Sequence, residues 1–340
     1  MTSPLHAPRT SIRPGQVWYD TSGARIQAHG GSVFHDVDGT FYWYGENKER
    51  TTTDGSIWHW GLRAYSSTDL TNWEDEGLII PPVTDDPDSP LHPAQWLDRP
   101  HIIRNETTGK YVCWVKVMKP ATNTQESTVL TADSFLGPYT IVRTGLRPLD
   151  MDAGDFDLTV DPQTGRAYYY FERVHTDLIC ADLTDDYTDV TGLYTSHFPH
   201  LGPPETREAP AYFHRDGTHY LITSGTTWYY PNRSEVASAP SHHGPWTVLG
   251  DPHPTDPSGT SFRTQISSVF KHPGKHDLYI AIADRWIADS TEAARDEAST
   301  EPGEHPIDTS VADYVWLPIR FDGSIPTIEW LDEWGIDDYA

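Results

Sequence analysis

Hydrophobic and polar positions along the 340-residue chain alternate in short runs bounded by Gly, Pro, Asn and Asp. Period-two runs between such breakers predict half-buried strands, and helical periodicity is almost absent. The one helical candidate, Ser290 to Glu301, carries charges that suggest a surface excursion. Five units share one shape: a strand, a glycine turn and an aromatic-rich strand. They start near Gly31, Pro100, Phe156, Ala209 and Ile266, and their turn glycines Gly39, Gly109, Gly165, Gly217 and Gly274 recur at intervals of about 50 to 70 residues. Second hairpins follow at 63–73, 129–139 and 236–246. Four strands per repeat at this period predict an all-β chain folded as a five-bladed β-propeller, with two packed β-sandwiches as the alternative. A single domain is expected over 1–340, with 1–14 a flexible N-terminus. The segments Gly15 to Arg25 and Tyr314 to Trp330 are expected to help close the ring.

The repeat also places chemistry. In each unit, the residues around the start of the first strand lie where inner strands converge on a central channel. Those positions hold Gln27 and His29, Asp98, Asp155, Glu208 and Gln265, so three acids and two amides are expected to meet in one funnel. Composition changes the picture in two ways. Fifty acidic residues against 24 basic ones give a net charge of −26, which repels polyanions and argues against nucleic acid or anionic membrane as a partner. The 13 Trp and 18 Tyr suit strands and sugar-stacking surfaces, with most rings, Trp43, Trp114 and Tyr168 to Tyr170 among them, expected to pack the blades and a few left for sugar. Cys113 and Cys180 sit in strand-like runs without metal or redox spacing, so buried free thiols are expected. No segment approaches the roughly 20 apolar residues of a membrane span. The first residues lack the apolar stretch of a leader, so a cytoplasmic location is expected.

Several stretches carry a resemblance. They are Ile26-Gln-Ala-His-Gly-Gly31, Tyr42-Trp-Tyr-Gly-Glu46, residues 65–73, Arg99-Pro100, Asp155-Phe-Asp-Leu158, residues 183–187, Arg207-Glu-Ala-Pro-Ala211, residues 220–225, Thr264-Gln265 and Asp284-Arg-Trp286. In this order, over about residues 17 to 330, the chain resembles glycoside hydrolase family 43, and most of all its exo-β-1,3-galactanase branch. The resemblance implies a propeller glycosidase that inverts the anomeric carbon, acts on an oligo- or polysaccharide, needs no catalytic cofactor and has no separate carbohydrate-binding module here. Glu208 matches the family's acid, and Asp155 matches the Asp that tunes that acid. The usual blade-one Asp base is replaced by Gln27-Ala28-His29. The galactanase branch shares that loss, and there a blade-five glutamine is proposed to position the water; Gln265 sits in the matching motif. Glu46 and Asp98 match carboxylates that contact the sugar, although the branch usually has Glu where this chain has Asp98. Thr226 matches a sugar contact. His29 lies where some members hold a structural calcium, with a satisfied buried histidine as the alternative.

An inverting glycosidase needs an acid on one side of the scissile bond and a group orienting water on the other. Glu208 must stay protonated near neutral pH, which burial and the charge of Asp155 would favour, while Arg207 is expected to point into its blade. A neutral amide cannot itself take a proton, so Gln265 is expected to orient water, with Asp98 or Glu46 as the competing base. Trp58-His-Trp60, and Trp228-Tyr-Tyr230 beyond Thr226, are expected to rim the funnel. Gln27 and His29 are expected to reach the sugar. The first expectation is an exo-acting enzyme releasing terminal galactose from β-1,3-galactan or galacto-oligosaccharides. The alternatives are an α-L-arabinofuranosidase or β-xylosidase, which the shorter Asp98 favours, and a non-catalytic sugar-binding propeller.

Overall fold

The computed structural model describes residues 8–120, 122–287 and 308–340; the helix expected over Ser290 to Glu301 lies outside them. Each repeat folds as one four-stranded antiparallel sheet with its strands in sequence order. Blade one is β1 (His29–His35), β2 (Phe41–Glu46), β3 (Leu62–Ser67) and β4 (Glu74–Ile80). Blade two is β5 (Trp96–Arg104), β6 (Tyr111–Lys119), β7 (Thr124–Ala132) and β8 (Thr140–Leu146). Blade three is β9 (Ala153–Val160), β10 (Ala167–Arg173), β11 (Asp177–Leu183) and β12 (Val190–His197). Blade four is β13 (Arg207–Arg215), β14 (Thr218–Gly225), β15 (Glu235–Ala239) and β16 (Thr247–Gly250). Blade five is β17 (Gln265–Lys271), β18 (Tyr279–Arg285), β19 (Asp313–Asp322) and β20 (Ile325–Ile328). The inner strands β1, β5, β9, β13 and β17 neighbour one another in turn, and β17 returns to β1. The molecule is a five-bladed β-propeller.

The core fills the gaps between blades. Trp43, Trp114, Trp316, Tyr169 and Tyr170 are buried completely, so most of the aromatic excess is blade packing. Cys113 and Cys180 are free and buried. Four of the five hairpin glycines adopt the left-handed φ their turns require, from 69° at Gly165 to 91° at Gly39; Gly274 does not. The two closing segments meet, with Gly15 N donating to Tyr314 O at 2.7 Å. Tyr314 to Trp330 supplies the outer strands of blade five, because that blade is built wholly from the C-terminal part of the chain. Part of the stretch expected to be flexible is also tied down: Ile12 exchanges backbone hydrogen bonds with Trp334 at 2.7 and 3.0 Å and is buried.

Candidate active site

The residues singled out by repeat phase sit at irregularities in the inner strands. Strand register shifts between His29 and Ser32, between Asp98 and His101, between Glu208 and Ala211, and between Ile266 and Ser268. On β9 the shift falls between Ala153 and Phe156, which brackets Asp155. Such bulges re-aim side chains at the end of a strand. In three blades the next residue is left-handed: Gly30 at φ 63°, Arg99 at 52° and Ala209 at 48°. A Cβ at Gly30 would also come within 2.4 Å of the Glu46 carboxylate, so that position needs glycine twice over.

Glu208, Gln265, Asp155, Asp98, Glu46, Thr226, Trp228 and Trp58 all line one cavity of about 390 Å³. A chain of alternating charges runs along its floor. Lys48, fully buried, lies 2.8 Å from Glu46 and 3.6 Å from Asp98. Asp98 also accepts from Trp58 Nε1 at 2.7 Å. Lys116 lies 3.6 Å from Asp98 and 2.8 Å from Asp155, whose other oxygen is 3.0 Å from Arg99. Burial opposes the charge on Asp155, but Arg99 and Lys116 outweigh it and hold the carboxylate at about 2. Burial likewise opposes Asp98, where Lys116, Lys48 and the Trp58 N–H prevail and lower it.

Glu208 is the opposite case. Burial first, then the charges of Asp155 and Glu172, push its carboxyl well above the usual range, against a smaller pull from Lys116 and Arg99. Burial also lifts Glu46 to about 7, although Lys48 opposes it. Arg207 points into its blade, donating to Thr223 Oγ1 and Thr223 O at 2.9 and 2.7 Å. Two acids in one cavity are thus driven apart, Asp155 lowered and Glu208 raised.

Gln265 uses its full hydrogen-bonding capacity inside the protein. Its carbonyl oxygen accepts from Arg99 and, at 3.2 Å, from Trp286 Nε1. Its amide nitrogen donates to Glu208 at 3.1 Å and Ser224 at 3.0 Å. Gln265 and Glu208 therefore touch, which leaves no room between them for a sugar ring.

Three expected sugar contacts lie elsewhere. His29 is wholly buried, with its ring nitrogens 2.9 Å from Asp284 and 3.1 Å from Gln27, and its ring stacked on Tyr314. Gln27 in turn donates to Ser310 O at 3.0 Å. Both belong to the packing of the channel, below the cavity. These contacts occupy His29 on both nitrogens, and among the described residues no three His, Cys, Asp or Glu side chains gather to hold a metal, so the site does not fit the expected calcium. Trp60 turns away from the cavity and packs under the Arg50 guanidinium at 4.2 Å. Tyr229 lines the cavity as expected, whereas sequence reasoning missed Lys116, Glu172 and Trp96, and assigned no role to Arg99 or Trp286, although all five line it too.

The model of glycosyl hydrolases family 43 matches residues 28–288. The chain belongs to this family. Solved family 43 structures share its shape. A β-1,3-galactosidase is 28% identical with a TM-score of 0.80 over 97% of this chain, which spans 64% of that longer protein. A second β-1,3-galactosidase, solved with galactodeoxynojirimycin, is 27% identical at TM-score 0.79, covering 96% of this chain and 100% of its own. An exo-β-1,3-galactanase from Clostridium thermocellum is 27% identical at TM-score 0.73, covering 95% and 66%. No curated protein sequence matches the chain.

Proposed function

We propose that this family 43 chain is an inverting, exo-acting glycosidase that releases terminal galactose from β-1,3-galactan or galacto-oligosaccharides. The carrying observation is the Glu208 carboxyl, half-buried in the cavity wall and raised well above the usual range beside an Asp155 that two cations keep ionised. Glu208 donates its proton to the glycosidic oxygen as the bond breaks. Asp155 acts through Glu208, and its fixed negative charge is what makes a carboxyl a useful acid near neutral pH. Asp98 and Glu46 accept from hydroxyls of the terminal sugar, which packs against Trp58 and Trp228. Water must attack from the opposite side, so the sugar enters by breaking the Gln265–Glu208 hydrogen bond. The released amide of Gln265 then orients the water through its carbonyl oxygen, and the proton the water loses passes to Asp98 or Glu46. β-1,3-Galactoside specificity is supported by the galactosidases and galactanase of the same shape.

The test is turnover of β-1,3-galactobiose beside aryl β-galactoside, α-L-arabinofuranoside and β-xyloside, with the first-formed anomer followed by proton NMR. The expected result is galactose released initially as the α-anomer, and a loss of about 10³-fold or more in Glu208→Gln. Arabinose or xylose release would transfer the assignment to the pentosidases, and β-galactose would exclude inversion. Tight sugar binding without turnover would make the protein a sugar-binding propeller.

A further inference from the structure

Of the two cations that keep Asp155 ionised, Lys116 is the one that bridges two acids of the cavity. Lys116 lies on β6, directly across from Asp98 on β5, yet its closest partner belongs to the next blade. Its ammonium sits 2.8 Å from one oxygen of Asp155 and 3.6 Å from Asp98, with only 13% of the side chain exposed. Arg99 takes the other oxygen of Asp155 but is also committed to Gln265. Lys116 is bound only to carboxylates, and it joins the acid that grips the sugar to the acid that faces Glu208.

We propose that Lys116 is a positioning residue of the reaction: its ammonium fixes the Asp155 carboxylate beside Glu208 and thereby sets the alkaline limit of turnover. The inference rests on Glu208 being the acid. Glu208 faces Asp155 from β9, Glu172 from β10, Lys116 from β6 and Arg99 from β5. Its neighbours Gln265 and Ser224 are uncharged, and Arg207 turns into the blade. Two anions favour the protonated acid and two cations oppose them. Lys116 has a double effect: it holds Asp155 in place and ionised, and it limits how far Asp155 raises Glu208. Without the ammonium, Asp155 remains ionised through Arg99, while Glu208 loses a cation that favoured its carboxylate.

The sign of the effect separates this role from a merely structural one. In Lys116→Met the midpoint of Glu208, followed by carbon-13 NMR of labelled Glu carboxyls and assigned by its loss in Glu208→Gln, should rise by about one pH unit. The alkaline limb of kcat/KM should move up with it, and kcat at the optimum should fall about tenfold as Asp155 loosens. Lys116→Arg should restore both midpoint and limb to within a few tenths of a unit. A midpoint that stays put in Lys116→Met, or Lys116→Arg displaced as far as Lys116→Met, overturns the proposal. If circular dichroism shows Lys116→Met unfolded, Lys116→Gln carries the same test with the hydrogen bond kept. Failure of the wild type to turn over any galactoside would defeat the assigned function, whereas the NMR midpoint would still decide the role of Lys116.

Discussion

Gln265 and Asp98 compete for the water, and their substitutions should separate cleanly. Gln265→Ala removes the oriented amide and should cut kcat by about 10²-fold, whereas Asp98→Asn removes a sugar contact and should act mainly on KM. Near-full turnover in Gln265→Ala with none in Asp98→Asn would hand the water to the carboxylate. Asp155→Asn makes a second prediction, opposite in sign to Lys116→Met. It deletes an anion that raises Glu208, so the alkaline limb of the pH profile should move down, by about a unit or more. A limb that stayed or rose would detach Asp155 from the acid. At this scale the sequence was legible where the repeat imposes a phase: Asp98, Asp155 and Glu208 stand at bulges of their inner strands, and Gln265 stands one residue before its own. Phase fixes a place around the axis but not a depth, which is why Gln27 and His29 share it and yet lie beneath the Trp286 ring, 5.6 Å from the imidazole. Lys116 escaped because its meaning comes from a cross-strand neighbour and an adjacent blade, neither of which spacing reveals.

Between elements, the junction of blades three and four carries its own titration. Tyr168 stacks on His242 at 3.7 Å, His219 meets His242 edge-on at 4.5 Å, and His214 lies 4.9 Å beyond. Burial, then the neighbouring imidazole of His219, lowers His242 to about 3. Burial and His214 lower His219, while burial and His243 bring His197 to about 4. An unfolded histidine titrates near 6.5, so between about 6.5 and these values the unfolded chain binds more protons than the native one. Stability from this junction is therefore complete above about pH 6.5 and lost as pH falls. Raised acids such as Asp157, lifted to about 7 by burial, act in the opposite sense, so the test is a difference. His242→Gln should have the lower Tm at pH 7.5, through its lost contact with Tyr170 at 2.9 Å, and the gap should narrow or reverse by pH 5. A constant gap would remove the histidine row from the acid response. Strand legibility divides along the same line. Inner hairpins such as β1–β2 and β13–β14 announce themselves by buried aromatics, whereas the outer strand β8 is exposed along nearly its whole length and has no apolar face to betray it. Residues 129–139, expected as a second hairpin, hold the end of β7 and the turn 133–139 that joins it to its antiparallel partner β8.

Over the whole molecule, the question is how a ring of five separate sheets stays closed. Blade one comes entirely from the N-terminal part of the chain and blade five entirely from the C-terminal part, so no sheet contains strands from both ends. Closure falls to β1 against β17 and to the segment before β1. Gly15 N donates to Tyr314 O at 2.7 Å, and Trp18 wedges between Trp43 of blade one and Trp316 of blade five, with ring centroids 5.4 and 5.1 Å away. That wedge is almost fully buried, and the chain's −26 charge pulls the other way, because self-repulsion favours an open ring. Trp18→Ala should therefore cost about 3–5 kcal/mol, visible as a Tm lower by several degrees, with part of the loss recovered as salt screens the repulsion. Gln265 stands on blade five and Glu46 on blade one, on either side of the seam, so loosening it should also reach the site. The expected outcome is thermal inactivation that precedes loss of far-ultraviolet circular dichroism in Trp18→Ala, with the two coinciding in the wild type. If inactivation and unfolding still coincide in the variant, the seam and the cavity are mechanically independent.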